Sequence, residues 1–259
     1  GTTEILLSNS DGSNMQQVTM NEMDDESPAF SPDGTQLAFT QRHEGIPELM
    51  VIDLRNANAI RQINTSDDCA APTWASDGRR IAFTATRDDV SDIFEINLSN
   101  GMYRRITYKL NARNPQYSTD GDHIVFSTPT GIWMIHTKTK GLRQVTNKPD
   151  DAHPKFRSGM QQLTFIRSSS LYAQLPEQKF PSIYFQDNRG IEEYAWSPNG
   201  QELFYKTTTG SLIVTRLHRR VKIILGAGHA PSWGVQADIT VKPASPSPKQ
   251  SKKASTAGK

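Results

Sequence analysis

One layout recurs along this chain and leaves few folds open to it. Residues 27–40 read "SPAFSPDGTQLAFT": a proline, an aromatic residue, an Asp-Gly pair and then alternating apolar positions. This is the signature of strand, tight turn, strand, with Asp33-Gly34 suited to a turn because both residues tolerate positive φ. "APTWASDGRRIAFT" from Ala71, "NPQYSTDGDHIVFS" from Asn114, "HPKFRSGMQQLTFI" from His153 and "EYAWSPNGQELFYK" from Glu193 repeat it, and "APSWGVQADITVK" from Ala230 is a degraded copy. The aligned aromatics are Phe30, Trp74, Tyr117, Phe156, Trp196 and Trp233, spaced 37 to 44 residues apart. A hairpin cannot bury its apolar face alone, so a period of about 40 residues predicts stacked units that share a core.

Each hairpin is followed by two more strand-like runs, such as "ELMVIDL" and "AIRQIN" in the first repeat and "DIFEINL" and "YRRIT" in the second. No segment keeps a helical apolar period for three turns, which removes the helical repeats of similar length. Four short antiparallel strands per unit describe the blade of an all-β propeller. The chain ends set the blade count. "EILLSNSDGSNMQQVT", residues 4–19, matches the outer two strands of the first full repeat, whereas the sixth hairpin ends near Val241 with no outer strands after it. The prediction is a six-bladed propeller over residues 1–242, in which residues 1–19 complete the C-terminal blade and so remove the exposed sheet edges.

Charge separates the last segment from this body. The chain carries 29 Lys and Arg against 27 Asp and Glu. Residues 243–259, "PASPSPKQSKKASTAGK", hold four of those lysines and no acid, which leaves the propeller body slightly acidic. The Pro/Ser/Lys-rich tail is expected to be disordered, and a nucleic-acid-binding role for the body is not supported. No apolar run is long enough to span a membrane, and no leader segment is read at the start, where Gly1 followed at once by a strand looks like a mature or trimmed end. Cys69 is the single cysteine and is expected to be a partly buried structural thiol.

The repeat P-x-[FWY]-S-x-D-G followed by [IL]-x-F resembles that of the TolB-type propellers, relatives of the WD repeat, over roughly residues 2–241; the Gly-His and Trp-Asp dipeptides of true WD repeats are absent. The first repeat matches in full, the third and fifth keep most of the pattern, the fourth replaces Asp-Gly with Ser158-Gly159, and the sixth loses the turn. The resemblance implies a periplasmic setting in the bacterial envelope and a protein partner such as the peptidoglycan-associated lipoprotein. Similar propellers serve as extracytoplasmic domains of membrane-anchored regulators, as gating domains of peptidases and, in a few cases, as metal-dependent pectin-fragment lyases. A binding or sensing propeller cut from a larger protein is the expectation.

In such a ring the first strand of each blade lines the central channel, and the loop leading into it opens on one face. Candidate partner-binding residues therefore lie just before each aromatic: Glu26, Arg113, Asn114, His153, Glu192, Glu193 and His229. Acids crowd the same loops as Asp24-Asp25, Asp67-Asp68 and Asp150-Asp151, joined by Asp88, Asp89 and Asp92. Together they predict a negative face that attracts a basic segment of a protein partner or seats Ca²⁺, a hard ion that takes oxygen ligands; the competing expectation is that each Asp caps its own turn. Sequence signatures of nucleophile elbows, phosphate loops and zincins are missing. No cofactor and no catalysis are expected, with a lyase using His153, His229 and Glu193 as metal ligands as the alternative.

Overall fold

The computed structural model describes residues 2–63, 67–157, 160–175, 178–216, 221–228 and 231–234. The chain order is a short ribbon, β1 (Leu6–Leu7) and β2 (Gln16–Gln17), then five sheets of four antiparallel strands. Blade 1 is β3 (Asp24–Phe30), β4 (Gln36–His43), β5 (Ile46–Asp53) and β6 (Asn56–Ile63); blade 2 is β7 (Asp68–Trp74), β8 (Arg80–Arg87), β9 (Val90–Asn97) and β10 (Tyr103–Arg105). Blade 3 is β11 (Arg113–Tyr117), β12 (His123–Thr128), β13 (Gly131–His136) and β14 (Leu142–Gln144); blade 4 is β15 (Ala152–Phe156), β16 (Leu163–Arg167), β17 (Ser170–Gln174) and β18 (Ser182–Phe185). Blade 5 is β19 (Ile191–Trp196), β20 (Glu202–Thr207), β21 (Ser211–Arg216) and β22 (Val221–Ala227). Within every blade the strands pair in sequence order.

The conserved layout of each hairpin has a local cause. Ser31 Oγ lies 2.6 Å from the Asp33 carboxylate, which also accepts the Thr35 N–H at 3.1 Å, while the Gly34 N–H donates to the Ser31 carbonyl at 2.9 Å. Ser118, Asp120 and Gly121 repeat this arrangement, and Ser197, Asn199 and Gly200 do so with an amide in place of the acid. Only the glycine of each turn is left-handed (Gly34 at φ 71°, Gly121 at 73°, Gly200 at 67°). The acid works as a hydrogen-bond acceptor that closes the turn, and not, as the sequence suggested for Asp33, through tolerance of positive φ.

The repeated aromatic joins each blade to the one before it. Trp74 of blade 2 donates its indole N–H to the Ala29 carbonyl of blade 1 at 3.0 Å. Tyr117 of blade 3 donates to Glu95 of blade 2 at 2.5 Å, and Trp196 of blade 5 donates to Thr164 of blade 4 at 2.9 Å. Phe156 of blade 4 packs against the Val125, Ile132 and Met134 cluster of blade 3. Phe30 of blade 1 packs on the cluster in which Ile5 and Val18 of the ribbon meet Leu37, Phe39 and Met50 of blade 1. The ribbon is thus the element preceding blade 1.

Hydrogen bonding identifies which strands the ribbon supplies. The Ile5 N–H donates to Thr19 Oγ1 at 2.9 Å and the Val18 N–H to the Ile5 carbonyl at 2.8 Å. The third and fourth strands of blades 2 and 3 make the same pair of bonds, through Ile93, Ile106 and Thr107 and through Ile132, Val145 and Thr146. The Asp25 N–H reaches back to the Thr3 carbonyl at 2.8 Å, as Ala112 reaches Ser91 and Ile191 reaches Ser169 between complete blades. Residues 4–19 therefore hold the outer-strand place of a blade that precedes blade 1. At the other end, Trp233 stacks edge-on against Phe204 of blade 5 at 6.2 Å, and Gly234 lies so near Phe30 that a Cβ there would fall 2.5 Å from the ring. Residues 231–234 bridge blade 5 to blade 1; the remainder of the sixth hairpin and the basic tail lie outside the described residues.

Cys69, the single cysteine, is buried in the cluster shared by blades 1 and 2, and its thiol donates to the Asp67 carbonyl at 3.2 Å. Among the described residues no helix is long and apolar enough to cross a membrane. Because Ile5 is buried among Leu37, Phe39, Met50 and Ile52, Ile5→Ala is expected to cost about 2–4 kcal/mol of unfolding free energy. Denaturant titration checks this; a loss below about 0.5 kcal/mol, typical of a surface change, would contradict a ribbon that belongs to the ring.

Candidate functional site

The inner strands converge on the channel through a repeated irregularity. The ladder between first and second strands slips between Glu26 and Ala29, Ala70 and Thr73, Arg113 and Gln116, and Ala152 and Lys155. At each slip stands a non-glycine residue with positive φ: Ser27 (53°), Ala71 (48°), Asn114 (53°) and His153 (51°). Each is followed by a proline (Pro28, Pro72, Pro115, Pro154), which has no N–H to give to the ladder and fits where pairing is interrupted. Blade 5 has Tyr194 in place of the proline; its slip falls one step earlier, and Glu193 stays paired with Lys206. A left-handed non-glycine residue is costly and persists only where its surroundings enforce it. Four of them around one opening make this end of the channel a built feature.

Ser27, Ala71, Asn114, His153 and Glu193 all line one cavity of about 120 Å³ together with the prolines, Gln116, Lys155, Tyr194 and Pro231. The sequence placed these five positions at the channel mouth, and the structure brings them together there. His229 and Ala230, expected beside them, lie outside the described residues. The loops between second and third strands stand at the same end, since Asp24 pairs with Arg42, Asp68 with Thr86 and Ala152 with Ile166.

The loop acids divide into two sets. Asp25 is buried and accepts hydrogen bonds from Asn21 and Gln41, both at 2.8 Å; burial raises its pKa, with those bonds opposing. Asp67 is buried against Arg87 at 2.7 Å and accepts the Tyr103 hydroxyl. Asp151 is buried in a two-pronged pair with Arg167, at 2.5 and 2.8 Å, and that guanidinium also lies 4.9 Å from the Tyr172 ring. Asp92 takes Arg105, the Thr107 hydroxyl and two backbone N–H groups; burial raises its pKa and these four donors more than reverse the effect. These acids hold loops in place, and the expectation of an uncancelled negative field fails for them because arginines or amides satisfy each one. Asp24 is half-buried and accepts the Thr3 N–H at 2.7 Å. Glu26, Asp68, Asp88, Asp89, Asp150 and Glu192 remain exposed, with Arg113 exposed among them. Glu26 is near Arg42 at 3.8 Å, Glu192 pairs with Lys206 at 3.0 Å, and Asp150 accepts the Ser168 hydroxyl.

Inside the channel the chemistry is different. His153 has its pKa held down to about 4, first by burial and then by the nearby Lys155 charge, with Glu192 opposing. Burial likewise lowers the pKa of Lys155, and Glu193 opposes. The Lys155 ammonium lies 5.9 Å from the centre of the Tyr194 ring. Lys155 and Gln116 occupy the position immediately before the repeated aromatic, where the other repeats carry Ala29, Thr73, Ala195 and Ser232. A single lysine among small or neutral residues at that register was a usable signal, and reading only the positions further upstream missed it. Among the described residues no three His, Cys, Asp or Glu side chains stand together as a metal-binding group.

The neutral His153 has a pH consequence. Its unfolded pKa is near 6.5 and its folded pKa near 4, so within that window the unfolded chain binds the extra proton and stability falls as pH drops. His153→Asn keeps a residue suited to the left-handed backbone, as Asn114 does in blade 3. The variant is expected to lose less melting temperature than the parent between pH 7 and pH 5; equal losses would contradict a buried neutral imidazole.

Comparisons with known proteins agree on this architecture. Residues 3–237 match the family described as the TolB beta propeller domain. A protein described as a TolB homolog from Chlorobium luteolum is 39% identical over 70 residues, which cover 26% of this chain and 16% of that protein. The crystal structure of TolB from Acinetobacter baumannii superposes with a TM-score of 0.77 at 20% identity, covering 88% of this chain and 62% of that one. The chain thus spans less than two thirds of these two relatives. An oligogalacturonate lyase in complex with manganese is similar in fold, with a TM-score of 0.58 at 11% identity over 87% of this chain and 74% of that one. With five described blades, an N-terminal ribbon in outer-strand register and a family match across almost the whole ring, the chain belongs to the TolB β-propeller domain family.

Proposed function

We propose that this propeller is a non-enzymatic recognition module of the bacterial envelope, working in the periplasm, whose protein partner docks on the channel end of the ring. Family membership supports a recognition role. The observation that carries the choice of face is the division among its acids: after Asp25, Asp67, Asp92 and Asp151 are turned inward and satisfied, six acids still stand exposed around the opening, at Glu26, Asp68, Asp88, Asp89, Asp150 and Glu192. Exposed like charges around a concave opening focus a potential that speeds the approach of an oppositely charged partner. The partner segment is therefore basic, and an envelope lipoprotein of the peptidoglycan-associated type is the first partner to test. The role needs no cofactor. The lyase reading calls for a set of histidines in the channel; among the described residues lining the cavity His153 is the one histidine.

The test reverses exposed rim acids and leaves the buried, hydrogen-bonded ones intact. Glu26→Lys, Asp68→Lys, Asp88→Lys and Asp150→Lys combined should slow association with the lipoprotein by about tenfold or more at low salt, with a small change in dissociation rate, and should flatten the salt dependence of the on-rate. An on-rate unchanged by the four reversals would overturn the choice of face.

A further inference from the structure

Around the channel opening the exposed rim is acidic, but the cavity it surrounds is rich in hydrogen-bond donors. Lys155 presents three N–H donors and makes no hydrogen bond or ion pair within 4.0 Å among the described residues; its ammonium lies 5.9 Å from the centre of the Tyr194 ring and feels the charge of Glu193. The Asn114 amide lines the cavity, with its Oδ1 sharing the Ser127 hydroxyl proton, at 3.3 Å, with the nearer Arg113 carbonyl at 3.1 Å. Gln116 lines the same cavity with a second amide, and His153, neutral at pH 7, adds one further N–H. Among the described residues Glu193 is the one acid in the lining. A half-buried ammonium that shares a cavity with two amides suits an oxyanion, because charge-assisted hydrogen bonds are shorter and stronger than neutral ones.

We propose that the cavity ringed by Asn114, Gln116, His153 and Lys155 is a binding site for a single carboxylate, with Lys155 as its principal contact. A volume of about 120 Å³ admits a group of that size and little more. The carboxylate belongs either to a small free acid or to an acidic side chain at the tip of a bound polypeptide. The rim acids do not prevent its entry: they are exposed to water, and their fields fall off over about 8 Å at physiological salt. The charge of Glu193, which lines the same cavity and acts on Lys155, opposes an anionic ligand. The proposal stands apart from the docking role of the rim, since it concerns the cavity and is tested without a protein partner.

The test titrates the full chain at pH 7 with sodium acetate, with acetyl-Gly-Asp-Gly-amide and with its Asp-to-Asn counterpart, following the side-chain resonances of Lys155 by NMR. Saturable shifts are expected with acetate, and none with the Asn peptide. Saturation by the Asp peptide as well identifies a side chain as an acceptable source, whereas acetate alone identifies a free acid. Lys155→Gln should weaken acetate binding by about tenfold or more, Lys155→Arg should restore part of it, and Glu193→Gln should tighten it. The last variant is isosteric and keeps the test decisive should Lys155→Gln fail to fold. Absence of saturable binding by either acid, or weaker binding in Glu193→Gln, or saturation by methylammonium in place of acetate would overturn the proposal.

Discussion

The structure depends on one contact made repeatedly: the aromatic residue at the end of each inner strand, packed back against the preceding blade. A four-stranded sheet has two faces to cover, and a single blade has no core of its own. Each aromatic adds on the order of 2–3 kcal/mol of apolar burial, and the Trp and Tyr members also satisfy their polar atoms across the interface, as Trp74 does with Ala29 and Trp196 with Thr164. The same contact explains why the ring must close. Phe30 of the first blade needs something before it: it packs on the cluster that joins Ile5 and Val18 of the ribbon to blade 1, and Gly234 lies against its ring. Trp233 meets Phe204 of the last described blade in the same way.

Closing the ring in this manner determines where chemistry can occur. The inner strands must bend away from their neighbours at the channel end, and the proline bulges do this by giving up ladder bonds. The left-handed residues at Ser27, Ala71, Asn114 and His153 are what remains at the opening, and they bring side chains of four blades around one cavity that Glu193 of blade 5 completes. Two layers of different polarity result. Exposed acids occupy the outer loops, where water keeps them inexpensive; an ammonium and two amides occupy the cavity, where few groups can satisfy them. In the proposed recognition role, an acidic rim and a donor-rich centre would discriminate among partners by geometry as well as by sign of charge.

Much of this was legible in the sequence because repetition averages out local ambiguity. The aromatic spacing, the match of residues 4–19 to a pair of outer strands and the ring of positions three residues before each aromatic were all readable, since each rests on comparison among repeats. What a single position does within its loop was not readable. Asp67 and Asp68 are neighbours of the same type, yet Asp67 is buried on Arg87 and Asp68 is exposed; the difference depends on a cross-strand arginine twenty residues away. Asp150 and Asp151 divide in the same way, with Arg167 deciding. Lys155 was hidden for another reason. The bulge shifts the register by one residue, so the alternation that tells channel side from sheet interior changes phase just where the channel begins.

Native-state hydrogen exchange tests the closed ring most directly. The Val18 and Asp25 amides, which bond to Ile5 and Thr3 across the ribbon, should exchange with the free energy of the buried Phe39 and Phe83 amides in the cores of blades 1 and 2, and all four should shift together when denaturant is added. If Val18 and Asp25 instead exchange through a separate, low-energy opening while Phe39 and Phe83 remain protected, the ribbon is an appendage, and the inter-blade aromatic does not close the structure.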